Sequence, residues 1–134
     1  MSKLVSHDAA GRAAAVGSAE WRAALTADVG STDVGRATRA LLALTYDDPD
    51  RTAVEALLLK CLDPSDTTVD PQVTALAVTC VGHVARLHGA IGPDLLERVR
   101  DLLQDPVLGG RAEDAMDDIA SFAGPAREVQ PGDD

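Results

Sequence analysis

At 134 residues the chain has the size of one domain and no room for two. Its acids outnumber its bases by ten, with nine acids in residues 101–134 against Arg111 and Arg127, a polarity that argues against nucleic acid and favours basic partners. Trp21, Tyr46 and Phe122 are the only aromatic residues, so the core must come from close Ala, Val and Leu contacts, as between stacked helices.

Residues 1–17 lack an apolar period and read as a flexible N-terminal segment. Residues 18–123 read as the folded domain, and residues 124–134 as a disordered tail. Ser18 can cap a first short helix containing Trp21 and Leu25. Asp33 opens a second helix, to about Tyr46. In the run DDPD, Asp48 is expected as N-cap with Pro49 at the first helical position, opening a third helix to Leu62. Asp70 and Pro71 repeat the device for a fourth. Its stripe Val73, Leu76, Ala77, Cys80, Val84 and Leu87 steps by threes and fours, and Gly89 supplies the left-handed stop. A fifth helix starts near Pro93 and turns Leu95, Leu96, Val99, Leu102 and Leu103 inward. Asp105-Pro106 ends it, and AEDAMDDIASF, residues 112–122, is the sixth. No segment alternates with period two for the length of a strand. The expected fold is all-α with about six helices.

The chemistry-bearing residues are few. Cys61 and Cys80 lie within apolar helical patterns and read as buried free thiols rather than a disulfide. The histidines at 7, 83 and 88 have no ligand spacing, and no glycine-rich loop opens a helix, so neither a metal nor a cofactor is expected. No apolar run approaches a membrane span, and the N-terminus has no signal-peptide core, so the expected location is cytoplasmic.

Three helices share a spacing. Ala37-x-x-Ala40-Leu41-x-x-Leu44 matches Ala77-x-x-Cys80-Val81-x-x-Val84 and Ala112-x-x-Ala115-Met116-x-x-Ile119, at offsets of forty and thirty-five residues. Small residues at the first two places admit a neighbouring helix, and larger ones fill the groove. DPQVTALAVTCVGHV, residues 70–84, resembles the second half of a HEAT-type helical repeat, and residues 102–119 resemble the same unit with Asp117 in the glycine place. Thr74 and Gly109 stand where that family usually has arginine. The resemblance covers roughly residues 33–123 and implies a short right-handed stack of helical hairpins, HEAT- or armadillo-like, with the second helix of each hairpin on one face. Alignment puts Tyr46, Arg86 and Ser121 in one row of that face. Ala43, His83 and Asp118 form another, and Arg39, Thr79 and Asp114 a third.

Glu113, Asp114, Asp117 and Asp118 then form an acidic surface at one end of the stack. As a catalytic pair they lack an enclosing pocket, and as a magnesium site they lack phosphate-binding company. His83, Arg86 and Asp118 have the residue types of a base, an anion clamp and an orienter, but no nucleophile stands beside them; a salt bridge is the expected role. Trp21 reads as the cover of the first hairpin. The function expected is therefore binding, not catalysis, with Tyr46, His83, Arg86 and the four acids as contact residues. Size, charge and fold resemble the immunity proteins that neutralise bacterial toxins, which implies a basic toxin domain as partner. An adaptor or scaffold subunit is the second reading, and a HEAT-like lyase the third. The expected state is a monomer or weak dimer, with no nucleic acid or membrane bound.

Overall fold

The computed structural model describes residues 14–123; residues 1–13 of the N-terminal segment and the tail 124–134 lie outside the described residues. Six helices follow one another: α1 Ala19–Val29, α2 Val34–Asp47, α3 Arg51–Cys61, α4 Pro71–His88, α5 Pro93–Leu102 and α6 Gly109–Phe122. Among the described residues there is no strand. The fold is all-α.

The helix starts are set locally. Ser18 accepts the N–H of Trp21 at 3.1 Å, Asp33 that of Arg36 at 3.1 Å, and Asp70 that of Gln72 at 2.7 Å. Such caps typically contribute about 1 kcal/mol each. Gly89 ends α4 in the left-handed conformation at φ 68°, which a side chain would disfavour. One cap differs from expectation. Asp50, not Asp48, caps α3, accepting the N–H of Ala53 at 3.1 Å. Asp48 is instead buried at the end of α2, where Arg22 of α1 holds both of its oxygens at 2.6 and 2.8 Å. A partner 26 residues away outcompetes a local cap because a guanidinium donates two parallel, charge-assisted bonds.

Pairing follows chain order. α1 packs on α2, α3 on α4 and α5 on α6. The second helices form a continuous row, α2 against α4 and α4 against α6, while α3 and α5 touch in the other layer. The aligned small residues sit where the helices approach: Ala37, Ala77 and Ala112 have no exposed surface, nor do Leu41 and Val81. One cluster of buried side chains runs from Ala37 on α2 to Ala123 after α6, and Trp21 is buried at the α1–α2 end, not offered as a surface anchor.

Side chains also bridge the layers. Glu55 of α3 takes the N–H of Gly92 with both oxygens, at 3.2 and 3.0 Å, capping α5 from outside because Gly92 cannot do so itself. Thr74, which stands where a HEAT-type repeat usually has arginine, donates to the Cys61 carbonyl at 3.2 Å and ties α4 to the end of α3. Leu87, expected on the packing stripe, is half-exposed, as is Phe122; both lie in the last turn of their helices. Leu96 and Leu103 are only partly buried at the margin of the core. The sixth helix begins at Gly109, three residues before the acidic run, with Asp105 accepting the N–H groups of Val107 and Leu108 at 2.8 and 2.9 Å.

Candidate functional site

The row of second helices brings four of the expected residues into a single ladder. Tyr46, in the last turn of α2, projects half-exposed, its ring centroid 5.0 Å from that of His83 and tilted by 36°. His83 and Arg86 are three apart on α4 and share a face. The Arg86 guanidinium donates to His83 Nδ1 with one nitrogen, and with the other to Asp118 Oδ2 of α6 at 2.9 Å. The order Tyr46–His83–Arg86–Asp118 therefore crosses three helices through side chains alone.

Glycine makes the last step possible. A Cβ at Gly82 would lie 2.5 Å from Asp118 Oδ2, so the carboxylate rests in space that any other residue would fill. Because arginine stays protonated, His83 Nδ1 must be the acceptor, which leaves the imidazole neutral with its proton on Nε2. Burial lowers the His83 pKa first, and the Arg86 charge lowers it further, against an upward pull from Asp118. This neutral ring can stack on Tyr46 and still donate from Nε2. Its folded pKa lies below the unfolded one, so its contribution to stability is present above the unfolded value of 6.5 and is lost as pH falls through the folded value. Replacing Arg86 with alanine should move the His83 titration upward, by removing a nearby positive charge and freeing Asp118. Proton NMR of the imidazole against pH reads this directly, and a midpoint that stays put would rule out the Arg86 coupling.

The other three acids are not part of the ladder. Glu113, Asp114 and Asp117 are exposed, and their side chains make no hydrogen bond or ion pair with a described residue. The four acids thus divide into one packed carboxylate and three solvated ones. Thr79 also departs from the aligned rows. Arg111 donates to it at 2.8 Å from one turn before Asp114. Leu87 and Phe122 were missed as surface residues, although they are thirty-five positions apart, the offset already seen between α4 and α6.

Among the described residues no group of three or more His, Cys, Asp or Glu could hold a metal ion. The two thiols are free and buried, and burial pushes both pKa values up to about 11. No described helix is long and apolar enough to cross a membrane. Comparison with known families, curated proteins and solved structures finds no match to this chain.

Proposed function

We propose that this protein is a binding module for a basic protein surface, and that the partner sits on the face made by α2, α4 and α6. The observation that carries the reading is the ladder itself. It sets the half-exposed Tyr46 ring against His83, and three solvated carboxylates flank its far end. A pre-ordered aromatic loses little entropy on binding, and tyrosine is enriched among the residues that dominate interface energies. The order of helix contacts supports a HEAT-like stack, and such stacks present area rather than an enclosed pocket. The function proposed is accordingly recognition without catalysis. The partner class most in keeping with the charge is a basic toxin domain, neutralised by occlusion in the manner of an immunity protein, in a reducing compartment that keeps Cys61 and Cys80 as thiols.

The test uses the product of any adjacent reading frame that encodes a basic domain. Changing Glu113, Asp114 and Asp117 together to lysine should leave stability within about 0.5 kcal/mol per site, since exposed charges away from caps contribute little. Association with the partner should slow strongly, and the wild-type rate should fall as salt is raised. Tyr46→Ala should weaken the complex roughly thirtyfold or more if the ring is an anchor. Full affinity in both folded variants would end the proposal for this face.

A further inference from the structure

Of the four residues in the ladder, His83 is the one whose residue type changes charge near neutral pH. Its place in the ladder makes that change consequential. Arg86 donates to His83 Nδ1, and a guanidinium has donors only. Nδ1 accepts this bond only while it keeps its lone pair. A proton there removes the acceptor and sets imidazolium against guanidinium, like charges on one face of α4.

The groups around the ring decide which side gives way. From α2, Tyr46 faces it with an uncharged ring, the centroids 5.0 Å apart. From α6, Asp118 brings the nearby negative charge, but its Oδ2 already accepts from Arg86 and rests in the hollow over Gly82. His83 is half-buried, whereas Arg86 is exposed on a flexible stem. Arg86 is therefore the member that moves, turning from His83 while it keeps Asp118. Burial and the Arg86 charge favour the neutral ring, and Asp118 favours the charged one. The exchange accordingly falls below the ordinary histidine value of 6.5.

We infer that His83 is a proton switch on the docking face: proton uptake breaks the Arg86–His83 rung and adds a positive charge beside Tyr46, so that acidification releases a basic partner. Breaking the rung is a property of the chain alone; the release rests on the docking face proposed above. A partner that takes only the neutral form binds in proportion to the neutral fraction, which falls about tenfold per pH unit below the His83 midpoint.

NMR titration of the full chain from about pH 8 to 5, the range in which histidine titrates, reads the switch without a partner. At the upper end His83 should carry its proton on Nε2 alone. As pH falls, the Arg86 Nε–Hε resonance should move with the same midpoint as the His83 ring. His83→Gln, whose amide oxygen still accepts from Arg86 and takes up no proton, should remove that step. A proton on Nδ1 at the upper end, an Arg86 resonance indifferent to the His83 midpoint, or the same step in folded His83→Gln would each overturn the switch. Release is read with the basic domain used to test the docking face. Whatever its starting value, the ratio of His83→Gln to wild-type affinity should rise about tenfold per pH unit below the midpoint. Both chains share the same carboxylates, so the ratio cancels their titration. A constant ratio in a chain whose spectra show the switch overturns proton-controlled release and leaves the docking face standing. Because the spectra need no partner, failure of the docking reading leaves the switch itself decided.

Discussion

Replacing Ala77 with leucine should lower the melting midpoint by roughly 10 °C, the consequence of about 3 kcal/mol in a chain of this size. Ala77 has no exposed surface and stands on α4, the helix that touches α2, α3 and α6. Close approach of those helices depends on the missing bulk. Three extra carbons must either adopt a strained rotamer or push a neighbour outward, and outward movement exposes apolar surface along the row. Ala56→Leu, on the exposed side of α3, is the control and should change the midpoint little. Thermal and urea unfolding of the two variants decide the matter. An unchanged midpoint for Ala77→Leu would mean that slack exists between the second helices.

Asp48→Ala should destabilise by about 3 kcal/mol, a low-end value for breaking a buried ion pair because the Arg22 partner keeps partial access to water. The variant removes two charge-assisted bonds to Arg22 and the bond that Asp48 Oδ1 accepts from the Asp50 N–H at 3.0 Å. It also unties α1 from the α2–α3 turn, so hydrogen exchange in α1 should accelerate more than in α6. The pH dependence has a definite sign. The Arg22 hydrogen bonds, ahead of the opposing burial, hold the Asp48 carboxyl below its ordinary value of 3.8. A carboxylate depressed on folding contributes stability that is complete above the unfolded pKa and disappears as pH falls through the folded one. The difference between wild type and Asp48→Ala should therefore be flat from about pH 5 to 8 and shrink below about 4. A difference that persists undiminished at pH 2 would assign the loss to packing rather than charge.

Legibility of the candidate site followed the range of each interaction. Tyr46, His83, Arg86 and Asp118 could be named because the repeat offset placed them on the same face, but their order of contact could not. Aligned rows predicted Tyr46 beside Arg86, whereas the ring sits tilted against His83 and the guanidinium crosses diagonally to Asp118. That diagonal depends on the hollow over Gly82, which has no signature beyond the glycine itself.

The sequence by itself determined the helices, most of their caps and the small-residue seam between them. Each of these depends on neighbours within a turn or on a 3.6-residue period, and such short-range terms survive in any tertiary setting. Only the tertiary structure decided which polar groups are paired. Asp48 and Asp50 stand two residues apart in DDPD with equal local claim to the cap, and Arg22 gave the buried place to one and left the cap to the other. Among the four acids of α6, the hollow above Gly82 and the reach of Arg86 drew in Asp118 and left Glu113, Asp114 and Asp117 to solvent. Polar pairing is set by distances between elements far apart in the chain, and no local pattern encodes those distances.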